Sequence, residues 1–420
     1  MSIAASEHDP RSMGQRELVV LVALLMSLNA FSIDGMLPSL GAIATELGAA
    51  AGNQRQLVVS VFLLANGIGC LLPGVLADRF GRRPLLMIAV AANFVFTLLV
   101  SVVHSFALLL VLRGLQGLFG AGLAVVPMAI IRDRYEGDRM ARLMSLVSAV
   151  FIMVPVIAPS LGQAILLVAG WRWIFRAISL LALLGGAWMW LRLPETLHPE
   201  DKQSIEVPAI VRNMGLALFN RAAFGYTLGT ALLLGGVFGY VNSAQQLIGE
   251  HFHAGRAFPL VFGGTASVMA ISNIVNSRIV ERFGARRVSH AGVLMFIAVS
   301  VAQVWAAWYR DAALLWFLPL MAMNLALLGF LGANFGSIAM QPFAHIAGAA
   351  SSVQTFFRMF GASLVGLAIG QAYDGTAKPF ALALLIGSVS ALALVAFSER
   401  GKLFRRLHPP GAPRVVMHAA

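Results

Sequence analysis

Long apolar runs separated by short polar breaks occupy most of this 420-residue chain. A helix that crosses a hydrocarbon core about 30 Å thick needs about 20 apolar residues. Twelve runs meet that length, at 18–40, 57–76, 85–103, 107–130, 143–168, 173–193, 218–246, 257–279, 288–307, 312–336, 344–372 and 378–397. The seventh, tenth and eleventh exceed what a bilayer requires, which predicts tilt or protruding ends. A continuous apolar run, unlike the alternating strand of a barrel, satisfies its backbone in lipid only as a helix. The pattern predicts an all-α membrane protein of twelve transmembrane helices.

The longest internal polar stretch, Pro194–Asn220, divides the runs into two sets of six. The organisation expected is a cytoplasmic N-terminal segment (1–17), a six-helix bundle (18–193), a cytoplasmic linker (194–217), a second bundle (218–397) and a cytoplasmic tail (398–420). A weak repeat supports the division. Asp78-Arg79-Phe80-Gly81-Arg82-Arg83 follows the second run, and Glu281-Arg282-Phe283-Gly284-Ala285-Arg286-Arg287 follows the eighth, its counterpart. Two pseudo-symmetric six-helix bundles place a solute site near the midplane between them.

Composition narrows the class. The chain is 59% hydrophobic and 11% charged, against about 25% charged for a soluble domain. Its net charge of +12 sits in short loops without an aromatic-interleaved basic patch, so the expected partner is the lipid bilayer and not nucleic acid. If the N-terminus is cytoplasmic, 22 of the 30 Lys and Arg fall on the inner side and five on the outer. That bias predicts an inner-membrane protein with both termini cytoplasmic. The stretch Met1–Arg16 is too polar for a cleavable signal, and the run after it is long enough to span. Cys70 is the one cysteine, which excludes an intrachain disulfide. No metal-ligand cluster, nucleophile constellation or phosphate loop is legible, so neither an enzyme nor a metal or organic cofactor is expected.

Three ionisable residues lie deep inside the apolar runs: Asp34, Arg113 and Arg358. A charge in hydrocarbon costs about 2.5–3.5 kcal/mol on insertion scales, so such residues face a cavity, pair, or move ions. Asp34 lies six residues before the end of run 1 and Arg113 six residues into run 4, each ~9 Å from the outer end by helical rise. Opposite charges at matched depth can pair. Burial raises a carboxylate pKa and a neighbouring guanidinium lowers it, so an Asp whose partner moves can load and release a proton. Asp34 and Arg113 are the expected proton-coupling pair, with the proton gradient as energy source. Arg358 lies near the midplane of run 11, placed either to meet a polar or anionic solute or to bond carbonyls of a broken helix.

Four motifs resemble one family. Gly74-Val75-Leu76-Ala77-Asp78-Arg79-Phe80-Gly81-Arg82-Arg83 resembles the signature loop of the major facilitator superfamily. Arg113-Gly114-Leu115-Gln116-Gly117 is similar to its Arg-x-x-Gln-Gly element, and Pro155-Val156-Ile157-Ala158-Pro159-Ser160-Leu161-Gly162 to the antiporter motif of its drug exporters. Asp34-Gly35-Met36-Leu37-Pro38 resembles the Asp-x-x-x-Pro element of the twelve-helix drug:proton antiporters. Arg132-Asp133 and Leu193-Pro194-Glu195-Thr196 are similar to the bicyclomycin and chloramphenicol resistance subfamily. The chain departs from the pattern where Ala158 replaces a glycine and Gln163 the second glycine of a pair.

The resemblance implies a proton-coupled efflux transporter, exporting amphipathic small molecules such as antibiotics across the inner membrane by alternating access; a metabolite exporter or proton symporter is the alternative. It implies a cytoplasmic gate at Gly74, Asp78, Arg79, Gly81, Arg82 and Arg83, latching the halves, and a bending helix at Pro155, Ala158, Pro159 and Gly162. Met36, Gln116, Tyr240, Asn242, Gln245 and Arg358 are the expected substrate-cavity residues, being polar or adaptable groups in apolar runs. The partners expected are a small molecule and protons, with the chain acting as a monomer.

Overall fold

The computed structural model describes residues 13–49, 52–198, 219–309 and 313–405, with positions 200, 202, 208, 212, 215 and 216 between the second and third stretches. Most of the segment 1–17, much of the linker 194–217 and the end of the tail 398–420 lie outside the described residues. Among the described residues eleven helices are long and apolar enough to cross a membrane, or twelve when the bent pair Gln54–Gly69 and Pro73–Phe80 is counted as one span. No strand occurs among the described residues.

The first half holds α1 (Gln15–Asp34), α2 (Leu57–Gly69, continued as Pro73–Phe80), α3 (Arg82–Val100), α4 (Phe106–Arg134), α5 (Gly137–Ala169) and α6 (Trp171–Arg192). The second holds α7 (Arg221–Ala244), α8 (Phe258–Phe283), α9 (Ala285–Tyr309), α10 (Leu314–Met340), α11 (Ala347–Gln371) and α12 (Lys378–Ser398). Breaks fall where the sequence removes a donor. Pro38 follows Asp34, and α1 resumes after a 3₁₀ turn as Leu40–Glu46. Pro73 interrupts α2, whose two parts meet at 48°; a proline in a helix lacks the N–H its ladder needs. Asn220 caps α7, its side chain accepting from the N–H groups of Ala222 and Ala223 at 3.0 and 3.2 Å, which satisfies two orphan donors of that end.

The repeat seen in the sequence has a backbone counterpart. Gly81 and Gly284, the glycines of the two Arg-Phe-Gly segments, have φ of +104° and +85° and turn the chain between α2 and α3 and between α8 and α9. L-residues with a side chain rarely adopt that region, so glycine is required at both corners. Packing follows the same twofold relation. The contacts α1·α5, α2·α4, α3·α6 and α1·α6 of the first half recur as α7·α11, α8·α10, α9·α12 and α7·α12 in the second. The two largest interfaces between the halves, α2 with α11 and α5 with α8, exchange under that relation. Gly67 lets α2 approach the backbone of Met359 and Phe360, and Gly263 lets α8 approach the Val156 carbonyl. The apolar faces turned away from the bundles, including Leu99, Leu167, Trp190, Ile274 and Leu315, are exposed, as a lipid-facing surface requires.

Candidate functional site

The expected pair is at matched depth but does not meet. The Gln116 Nε2 group donates to Ser32 Oγ at 3.2 Å and to Thr97 Oγ1 at 2.6 Å, which levels α1, α3 and α4. From those positions Asp34 lies ~3 Å and Arg113 ~4.5 Å further along their helices in the same direction. Asp34 is however turned ~200° from Ser32 around the α1 axis, so it faces away from α4. No described cation forms an ion pair with Asp34, and the residue is 7% exposed. It ends α1 at the Gly35–Ser39 break, where the Gly35 carbonyl packs directly on Gly162 of α5 and Gly35 lies beside Ile178 of α6. A Cβ at position 162 would collide with that carbonyl.

Arg113 is fully buried and finds its partners on α2 and its own helix. Its Nε donates to the Val58 carbonyl at 3.0 Å, one Nη to Gln116 Oε1 at 2.6 Å, and the guanidinium lies 4.4 Å from the Phe62 ring centroid. The second Nη has no protein partner. The direct Asp34–Arg113 pair is thus corrected: helical rotation, invisible to a depth argument, separates them in this conformation. Arg358 sits on the α2–α11 interface beside Cys70, at the break in α2, and its Nε is buried without a hydrogen bond.

A polar seam joins the halves on the face opposite the termini. Arg55, at the start of α2, donates to both carboxylate oxygens of Glu250 at 2.5 and 2.6 Å and to Gln245 Oε1 at 3.2 Å. Gln56 donates to Gln246 Oε1 at 2.5 Å, and Gln246 to Asn53 Oδ1 at 3.2 Å. Asn53 donates to the carbonyls of Gln371 and Tyr373 at 3.0 and 2.8 Å, and Gln371 returns a bond to the Asn53 carbonyl at 3.1 Å. The second-half partners depend on an unusual turn: α7 continues as a π-helix over Gln245–His251. In an α-helix Gln245 and Glu250 would diverge by ~140°, whereas the wider π-turn with its i→i+5 hydrogen bonds brings them nearer in azimuth, and both reach Arg55. Sequence reasoning read Gln245 and missed Arg55, Gln56 and Glu250; the signal available was a Gln-Gln pair and an acid at the end of an overlong apolar run.

On the terminus face, the charged groups of the α2–α3 loop bond within the first half among the described residues. Arg82 pairs with Asp78 and, at 2.9 Å, with Asp133 at the end of α4. Glu195 accepts from the backbone N–H groups of Arg82, Arg83, Thr196 and Leu197 at 2.9, 3.2, 2.8 and 3.0 Å, capping α3 with the chain that leaves α6. Thr196 Oγ1 donates to Asp133, and Arg83 to the Trp190 carbonyl. Gly81 is confined by the Glu195 carboxylate, Arg79 is exposed, and Gly74 faces Ser352 of α11. In this conformation the described charges of the expected latch tie α2, α3, α4 and the α6 exit together, and the seam that bonds the two halves lies on the other face.

The remaining expected positions are scattered. Met36 and Gln116 are fully buried inside the first half. Tyr240 stacks on Phe262 with ring centroids 5.6 Å apart and meets Thr265 Oγ1 at 3.4 Å, inside the second half. Asn242 is buried under the polar seam, against Gly370 and behind Gln56. Met36, Gln116 and Tyr240 thus do not line an open cavity in this conformation, and Gln245 belongs to the seam, because tertiary packing closed over side chains whose depth alone looked suitable. Pro155 and Pro159 lie inside α5, which continues unbroken from Gly137 to Ala169, and Ala158 packs with Ala30 and Val154 against α1. Among the described residues no cluster of His, Cys, Asp or Glu could hold a metal ion.

A twelve-span helical protein of two related bundles, with buried charge in its spans and a seam bonded on one face, has the architecture of a membrane transporter. A family profile described as the Major Facilitator Superfamily matches residues 20–366. The chain belongs to the major facilitator superfamily. It is 27% identical over 388 residues to a bicyclomycin resistance protein homolog of Haemophilus influenzae, covering 90% of this chain and 94% of that protein. An uncharacterized transporter of this superfamily, YdgK of Bacillus subtilis, is 28% identical over 391 residues, 91% and 95% of the two chains. The multidrug resistance protein MdtL of Klebsiella pneumoniae is 28% identical over 344 residues, 81% and 85% of the two chains. Among solved structures, a D-xylose-proton symporter superposes with a TM-score of 0.72 at 17% identity, covering 93% of this chain and 100% of that one, a likeness of fold.

Proposed function

We propose that this protein is a proton-coupled exporter of amphipathic small molecules such as antibiotics, working by alternating access in a bacterial inner membrane with both termini cytoplasmic. The observation that carries the reading is the one-sided seam. Among the described residues, polar bonds between the halves gather at the face opposite the termini, while the Arg82–Asp133 and Arg286–Glu399 pairs of the terminus face each lie within one half. A rocking pair of bundles presents that asymmetry in the state closed to the outside, and breaking the outer bonds while forming inner ones reverses it. The names of the Haemophilus and Klebsiella relatives support drugs as the solute class.

Asp34 is the proton carrier in this reading. It is a carboxylate at a helix break, next to Gly35 whose carbonyl meets the antiporter motif at Gly162, and no described cation forms an ion pair with it. Protonation removes the cost of a charge in the spans, and deprotonation requires water to reach the Gly35 break. Arg113 acts through Gln116 and α2 rather than by direct pairing. Arg358, on the moving α2–α11 interface, is the group placed to select solute charge. The chain works as a monomer and needs no cofactor beyond the proton gradient. The test is transport by the purified protein in proteoliposomes under an imposed pH gradient. Asp34→Asn is expected to insert and fold like the wild type and to lose gradient-driven movement of a fluorescent cationic drug. Retained gradient-driven transport would sink the proton role, and flux of solute and protons in the same direction would sink export.

A further inference from the structure

The second half holds a buried polar cluster at its terminus face that the transport cycle above does not use. His290 of α9 is fully buried. Its Nε2 lies 3.0 Å from the Tyr226 hydroxyl of α7, and that hydroxyl donates to Glu399 Oε1 at 2.6 Å. Its Nδ1 accepts from the backbone N–H of Phe404 at 2.8 Å. These bonds settle the tautomer. The Tyr226 proton is spent on Glu399, so Nε2 carries a hydrogen and donates, while Nδ1 must offer a lone pair to Phe404. The imidazole is neutral in this arrangement, because an imidazolium has two donors and no acceptor.

Phe404 belongs to the segment that leaves α12, and that segment is held under tension. Arg400 and Phe404 have φ of +53° and +63°, in the left-handed region unfavourable to residues with a side chain. Such backbone persists only where surrounding contacts over-determine it. Here His290 holds the Phe404 N–H, Arg287 Nε donates to the Phe404 carbonyl at 3.1 Å, and the Phe404 ring stands edge-on to the imidazole at 5.5 Å.

We propose that His290 is a proton-operated clasp: neutral, it fastens the C-terminal segment to α9, and protonated, it releases that segment. A proton on Nδ1 would oppose the Phe404 N–H donor to donor. The groups that face the imidazole decide which contact yields. From α7 comes Tyr226, committed to Glu399; beyond α12 comes Glu399, paired with Arg286 at 2.8 Å; on α9 itself are Arg286 and Arg287; and from the end of α10 Gln341 accepts from Arg286 at 2.9 Å. The Glu399 carboxylate is already shared by Tyr226 and Arg286, and the departing segment carries Arg400, Lys402 and Arg405. A positive imidazole therefore repels the segment it held and stays with Tyr226 and Glu399. A C-terminal segment freed by acid would let an exporter that moves protons inward report the acidity it creates. That use rests on the cytoplasmic orientation proposed above, whereas the clasp itself does not.

The test uses the full chain in nanodiscs, where both faces see one buffer, so it is independent of orientation and transport. Amide hydrogen exchange of the peptide containing Phe404 is followed from pH 8 to pH 5.5, corrected for the intrinsic rate. Protection is expected at pH 8, with exchange rising by up to about tenfold per pH unit once the histidine titrates. His290→Gln, which cannot titrate, is expected to flatten the profile. Should that variant fold poorly, a nitroxide on Lys402→Cys in a Cys70→Ala background reports the same release in the presence of His290, as a gain in mobility on acidification. Constant protection in the wild type, an immobile label throughout, or an unchanged profile in His290→Gln would each overturn the clasp.

Discussion

Replacing Glu250 by Gln should unlock the face opposite the termini by a calculable amount. Glu250 holds both terminal nitrogens of Arg55 at 2.5 and 2.6 Å, and the two side chains are 48% and 14% exposed. A fully exposed ion pair contributes about 0.2–1 kcal/mol, whereas a hydrogen bond to a charged group contributes about 1.5–3 kcal/mol. Glu250 is half exposed, which discounts the upper figure, and Arg55 is largely enclosed, which raises the lower one. An amide in its place keeps one acceptor, so the closed state should lose about 1–2 kcal/mol, about a 5- to 30-fold shift toward the open form. Asn242 is the reporter, because it is buried beneath the seam against Gly370 and behind Gln56. With Asn242→Cys as the one thiol in a Cys70→Ala background, the rate of labelling by a polar maleimide measures the population in which the seam is open. Glu250→Gln should raise that rate by the stated factor, and Arg55→Glu combined with Glu250→Arg should return it toward the starting value. An unchanged rate in Glu250→Gln, or no recovery in the swapped pair, would refute the seam as the lock.

Other substitutions probe separate parts of the molecule. Gly162→Ala drives a methyl into the Gly35 carbonyl and should cost about 1–3 kcal/mol as overpacking, read as a lowered unfolding temperature. Gly114→Ala, whose nearest neighbour is Val61 Cγ1 at 3.4 Å, should be neutral or gain up to about 1 kcal/mol from helix propensity. Glu195→Gln removes the charge from an acceptor of four backbone N–H groups. It should loosen the chain after α6 by about 1–2 kcal/mol, seen as about 5- to 30-fold faster protease cleavage just beyond Leu197. Arg358→Gln removes the cation of the α2–α11 interface and should shift a growth-inhibition panel away from anionic compounds, while a panel unchanged in pattern would remove Arg358 from solute selection.

The residues themselves announced the membrane, the twelve spans and the duplication, because these depend on properties that are local along a chain. Continuous apolarity leaves a helix as the means of satisfying the backbone in lipid, and the Arg-Phe-Gly corners recur because both need the positive φ that glycine at 81 and 284 supplies. Depth was also legible, since rise per residue is fixed, and Asp34 and Arg113 do share a level. Azimuth was not. Two residues separate the Ser32 that bonds Gln116 from the Asp34 that turns away, and that rotation matters only once neighbouring helices have taken their places. The same holds for the seam. Asn53, Arg55, Gln56, Gln246 and Glu250 are ordinary polar residues at helix ends until a π-turn and the approach of the two halves bring positions about 190 apart in sequence into contact. Local chemistry fixed what each segment of this transporter could become, and the packing of one half against the other decided which charges meet, because that choice belongs to surfaces that exist only after both bundles have formed.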